Sequence, residues 1–148
     1  MFLGRVLAMA FQSVISDLHE RLAHTPFAEL RPAHGYVMLH VRENAATVQD
    51  IAELMGMTKQ AASKLVATME SQELLARKPD PQDGRAWRLV LSARGHKALL
   101  LVESIYQAIE AEWAEVIGAD AVTALQHQLM TVVRARCGDK LPPIRPQI

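Results

Sequence analysis

The 148-residue sequence has a single cysteine, Cys137, which excludes an internal disulfide and makes a reducing cytoplasm the expected location. Aromatics are scarce, with two Trp, two Tyr and three Phe, while Ala and Leu are abundant. That balance favours helices over a β-sandwich. No long uninterrupted hydrophobic run occurs. The apolar N-terminus FLGRVLAMAFQSVISDL is broken by Arg5, Gln12, Ser13 and Asp17 and lacks a small-residue cleavage site. A helix buried against a partner surface is expected there, with no membrane span. The signatures G-x-S-x-G, G-x-G-x-x-G, H-E-x-x-H and the P-loop are all missing, so neither an enzyme nor a cofactor is expected. Six histidines (His19, His24, His34, His40, His96, His127) contain no i, i+4 helical pair, and no metal site is expected. Cys137 is either incidental or a redox-sensing thiol whose pKa Arg134 and Arg136 would lower.

Net charge is also absent, but the zero total conceals an asymmetry. Residues 58–97 carry +4, whereas residues 1–57 and 98–137 carry −2 and −3. A basic middle between acidic helices is either a surface for a polyanion or an ordinary solvated face. Half of the residues are hydrophobic and 22% are charged, which is the composition of one folded domain with a core.

Periodicity divides the chain into helices and one hairpin. Residues 2–23 carry Leu7, Phe11, Val14, Leu18 and Leu22 at helical spacing, with further apolar residues around them. One stripe would cover a monomer core, so the excess predicts burial on a second side, as a dimer provides. Thr25-Pro26 ends this helix, and Pro32 begins another that runs to Glu43-Asn44, with Val37, Leu39 and Val41 as its apolar face. Thr47 and Asp50 form a capping box for a short helix that Gly56 stops. Thr58 caps the next helix, to about Gln72. Two short helices joined by such a turn are a helix-turn-helix pattern. Leu74–Lys78 and Ala86–Leu91 then form a hairpin around PDPQDGR. Ser92 caps a helix to about Ile117 that spans about 40 Å, more than a compact monomer needs. Gly118 ends it, Asp120 caps a last helix to about Cys137, and residues 138–148 form an irregular tail.

On the helix after Thr58, Ala62, Leu65, Val66 and Met69 share one arc and face the core. Gln60, Ser63, Lys64 and Ala67 lie opposite, Thr58 and Lys59 stand at the N-terminal end, and no acidic residue interrupts residues 58–69. Gln can bind adenine through two hydrogen bonds, Lys reaches guanine or phosphate, and Ser does either. The alternative is a generic solvated helix. On the hairpin, Asp83 can hold the Arg85 guanidinium in a fork and aim it at a narrow minor groove. It can also simply stabilise the turn. Arg77, Lys78 and Arg88 are placed for backbone phosphates.

The stretch MTKQAASKLVATMESQELLARKPDPQDGRAWRLVLSARG closely resembles the recognition helix and wing of MarR-family transcriptional regulators. TVQDIAELMG before it and the long helix after it fit the same plan, and Asp83-x-Arg85 followed by a strand and S-A-R-G is the most specific part. The resemblance implies a mainly α fold, a winged helix-turn-helix with a small β-hairpin wing over residues 32–91. Dimerisation helices would occupy 1–30 and 92–137 of a single MarR-like domain spanning 1–148. It also implies a cytoplasmic homodimer that grips a pseudo-palindromic operator in double-stranded DNA and represses transcription until a small-molecule effector releases it. The DNA contacts would be Thr58, Lys59, Gln60, Ser63, Lys64, Arg77, Lys78, Asp83, Arg85 and Arg88. His34, Tyr36 and His40 lie on the helix that borders the family's usual ligand cleft, as effector contacts or as satisfied core and surface residues. The other reading is a winged-helix protein-interaction module that does not bind DNA.

Overall fold

In a computed structural model, which describes residues 1–145, six helices flank one hairpin: α1 Leu3–Leu22, α2 Pro32–Glu43, α3 Val48–Met55, α4 Lys59–Ser71, β1 Leu75–Pro79, β2 Trp87–Leu91, α5 Ala93–Ile117 and α6 Ala119–Cys137. The chain forms two compact units. One comprises Met1–Leu30 and Val102–Leu141; the other comprises Arg31–Leu101 with the segment from Pro142. Among the described residues no helix is long and apolar enough to cross a membrane.

The unit from Arg31 is built around a helix-turn-helix. The Thr47 hydroxyl accepts from Asp50 N–H at 3.2 Å, and Thr47 N–H donates to the Asp50 carboxylate at 2.7 Å, so α3 opens on a reciprocal cap. Gly56 ends α3 in the left-handed region, at φ 59° and ψ 39°, where a side chain would be strained. Thr58 accepts from Ala61 N–H at 3.1 Å and opens α4. Val37, Met38 and Val41 of α2, Ile51 and Met55 of α3, and Ala62, Val66 and Met69 of α4 are buried. Leu39, expected inside, is 37% exposed, because it lies about 200° around the helix from Val37 while Met38 falls in the buried arc. Leu65, at the edge of the arc of α4, is half-buried.

The two strands are antiparallel and pair Leu75 with Leu91, Arg77 with Leu89 and Pro79 with Trp87. The Leu89 N–H donates to the Ala46 carbonyl at 2.8 Å, which ties the segment between α2 and α3 to the hairpin. The S-A-R-G run fastens the other side. The Ser92 hydroxyl accepts from Gly95 N–H at 2.9 Å, capping α5, and donates to the Glu73 carbonyl. Arg94 Nε donates to the Gln72 carbonyl at 3.1 Å. A Cβ on Gly95 would sit 2.1 Å from the Leu74 carbonyl oxygen, so only glycine fits there. These bonds hold Glu73, whose φ of 59° is unfavourable for a residue with a Cβ.

In the other unit the buried side chains are Leu18, Leu22, Phe27, Leu30, Val102, Ile105 and Ile109. The Thr25 hydroxyl donates to the Leu22 carbonyl at 2.8 Å and accepts from Phe27 N–H at 3.1 Å, turning the chain after α1. Arg21 and Glu112 form an ion pair between α1 and α5. The expected Asp120 cap is corrected: Gly118 is the cap residue, α6 starts at Ala119, and Asp120 lies in the first turn, where it favours the helix dipole. None of the α6 residues is buried. Leu3, Val6, Leu7 and Met9 of α1 are exposed, as are Met130 and Val132 of α6.

Candidate nucleic-acid interface

The turn at Gly56 and the cap at Thr58 decide where α4 begins, and the buried Ala62, Val66 and Met69 decide which face is left outside. Thr58, Lys59, Gln60, Ser63, Lys64 and Ala67 are all exposed. The structure brings these polar residues onto one face and one end of a single helix. The first amides of α4 add donors and a partial positive charge there.

The wing tip is shaped by two aspartates acting on the backbone. Asp80 accepts from Gln82 N–H at 2.8 Å, and Asp83 accepts from Arg85 N–H at 3.1 Å. The expected fork from Asp83 to the Arg85 guanidinium is therefore corrected. Among the described residues they form no ion pair, and Asp83 orders the loop while Arg85 extends from it, exposed. Two of the other cations are already held. Arg77 pairs with Glu70 at 2.9 Å, and Arg88 with Asp80 at 2.9 Å. The Gln82 N–H, followed by Arg88, lowers the Asp80 pKa below its ordinary 3.8. Lys59, Lys64, Lys78 and Arg85 have no ion-pair partner among the described residues. A cavity of about 330 Å³ between the end of α2 and the hairpin is lined in part by Arg42, Lys78 and Arg88.

The three α2 side chains expected to meet an effector are not gathered together. His34 is buried at the start of the helix, where its Nδ1 accepts from Arg31 N–H at 3.0 Å, a capping role. Tyr36 and His40 are both half-buried and share a helix face at i, i+4 spacing. Burial raises the Tyr36 hydroxyl pKa. Among the described residues no group of three His, Cys, Asp or Glu could hold a metal ion, and Cys137 is exposed. Pro143, Ile144 and Arg145, expected only as part of an irregular tail, lie against the turn at Gly56. Nothing in the local pattern of LPPIR marks such a contact.

A family model described as the MarR family matches residues 29–86. No curated protein sequence matches the chain. Among solved structures, the chain is similar to the transcriptional repressor CouR bound to a 23-mer DNA duplex, at 26% identity and a TM-score of 0.75, over 90% of this chain and 93% of that one. It is similar in fold to Streptococcus pneumoniae FabT in complex with DNA, at 13% identity and a TM-score of 0.76, over 90% and 94% of the two chains. It is also similar in fold to S. aureus MepR bound to ethidium bromide, at 17% identity and a TM-score of 0.63, over 92% and 97%.

Proposed function

We propose that the chain, whose residues 29–86 match the MarR family model, is a winged helix-turn-helix DNA-binding transcriptional regulator of that family, and that it is a homodimeric repressor released by a small ligand. In this reading α4 enters the major groove of each half-site. Gln60 reads adenine through two hydrogen bonds, while Ser63 and Lys64 contact neighbouring base edges or phosphate. Thr58 and Lys59 dock the helix end on the backbone. Arg85 enters the adjoining minor groove, from a loop that Asp83 keeps in shape. Lys78 takes a phosphate directly. Arg77 and Arg88 do so by exchanging the carboxylates of Glu70 and Asp80 for a phosphate oxygen.

The observation that carries the reading is the exposed, acid-free face of α4, with Gln60, Ser63 and Lys64 beside a wing whose Arg85 is unpaired among the described residues. Exposed apolar residues on α1 and α6 support the dimer, and two-fold symmetry then calls for half-sites about one helical turn apart. Repression follows the example of CouR, a repressor solved on DNA, and ligand release that of MepR, solved with ethidium. We assign the effector contacts on α2 to Tyr36 and His40, with His34 holding the helix start.

The test is fluorescence anisotropy of the purified protein at physiological salt, on DNA from upstream of its own gene and on a scrambled duplex. A preference of about a hundredfold or more is expected. No binding to either duplex, even at low salt, would sink this reading.

A further inference from the structure

The segment Pro142–Arg145 belongs to the same compact unit as the helix-turn-helix and lies on its turn. The Ile144 N–H donates to the Leu54 carbonyl at 3.0 Å. Leu54 stands in the last turn of α3, where carbonyls lack an intrahelical donor. The Met57 N–H goes to Ala52, so the tail supplies a donor that α3 and its turn direct elsewhere. The approach is close. A Cβ on Gly56 would lie 3.1 Å from Pro143 Cβ and 3.3 Å from Arg145 Nε. Pro142 and Pro143 have fixed φ angles, so ordering this segment costs less entropy than ordering a flexible one. Arg145 also brings its positive charge to the negative end of the α3 dipole.

Gly56 immediately precedes Met57 and Thr58, the cap of α4. The N-terminal residues of a recognition helix enter the major groove, so the turn that leads into it passes beside the phosphate backbone. Among the described residues Arg145, unlike Arg77 and Arg88, has no carboxylate partner. We propose that the C-terminal segment is a third DNA-contacting element, which clasps the turn through Ile144 and presents Arg145 to a DNA phosphate. This rests on the DNA-binding reading above and adds to it a contact that is blind to base sequence.

Four proteins decide it: wild type, Arg145→Gln, Arg145→Lys and Ile144→Pro. Each is titrated by anisotropy onto a scrambled duplex and onto DNA from upstream of the gene, across a salt series. Arg145→Gln weakens binding to both duplexes roughly 3–10-fold, and the steepness of log Kd against log salt falls by about one for each tail engaged. Arg145→Lys restores most of the loss, because a phosphate accepts a point charge as well as a fork. Ile144→Pro keeps Arg145 but deletes the N–H that holds Leu54, and it reduces the steepness in the same way. Wild-type affinity and steepness in Arg145→Gln, on DNA that the wild type binds, would overturn the proposal and leave the DNA-binding reading standing. Wild-type steepness in Ile144→Pro would overturn the clasp. Failure of the wild type to bind either duplex would remove the DNA-binding reading and this contact with it.

Discussion

At the scale of single residues, the proposed function divides affinity and selectivity between Arg85 and Gln60, and each role can be tested by itself. Arg85→Ala removes an exposed guanidinium from the wing tip. It is expected to weaken operator binding by about 1–3 kcal/mol with an unchanged melting temperature. Wild-type affinity in that variant would take the wing out of the interface. Gln60→Ala is expected to narrow the gap between operator and scrambled DNA while non-specific binding stays within about a factor of two, because an uncharged side chain releases no counterions. An equal loss on both duplexes would mean that Gln60 reads no base. Which side chains of α4 stay outside was legible in the sequence, since helical spacing alone separates the exposed Gln60, Ser63 and Lys64 from the buried Ala62, Val66 and Met69. The role of Asp83 was not. An i, i+2 spacing allows a short Asp either to pair with the guanidinium or to accept from the backbone N–H. The second needs no long side chain to be ordered, and it is the one the wing adopts.

At the scale of elements, the caps and turn residues read from the sequence place α2, α3 and α4 because their partners are local. Thr47 and Asp50 are three residues apart, and Thr58 and Ala61 likewise. Contacts made at a distance leave no such trace. The tail's bond to Leu54 and the grip of Ser92 and Arg94 on Glu73 and Gln72 depend on how elements pack. S-A-R-G could be recognised in the sequence as a motif, but its purpose could not. The packing makes that purpose testable. Gly95→Ala drives a methyl group into the Leu74 backbone and is expected to destabilise the protein on the order of 3 kcal/mol, measured by urea denaturation. A loss below about 0.5 kcal/mol would contradict the close approach. The wing has its own pH dependence. The Asp80 carboxyl is held below 3.8 by the Gln82 N–H first and Arg88 second. A lowered folded-state value means stability that is complete at neutral pH and is lost as the pH falls through that value. Asp80→Asn should therefore speed amide exchange in the hairpin at pH 7. The difference from wild type should close only below about pH 4. A difference that closed near pH 6 would place the titrating group elsewhere.

At the scale of the whole molecule, the residues left outside call for a second copy of the chain. Leu3 and Leu7 are 69% and 38% exposed, and their i, i+4 spacing puts them on one face of α1. α6 contributes no buried residue, yet carries Met130 and Val132 on its surface. A two-fold interface uses each such side chain twice, so one substitution removes two contacts. Burying a Leu is worth about 1.5–3 kcal/mol, and in the proposed dimer a Leu3→Asp, Leu7→Asp double variant would replace four interface leucines with carboxylates. That loss exceeds what a micromolar dimer can absorb. The wild type is expected to sediment at twice its 16.4 kDa chain mass at micromolar concentration, and the double variant at the chain mass. Operator affinity should fall in step, by about a hundredfold or more, because two linked recognition helices no longer share one binding event. Binding to scrambled DNA at low salt should change far less, since each winged unit keeps its own cations. A wild-type protein that sediments as a monomer while discriminating its operator from scrambled DNA would overturn the dimeric reading. It would confine recognition to one α4 and one wing.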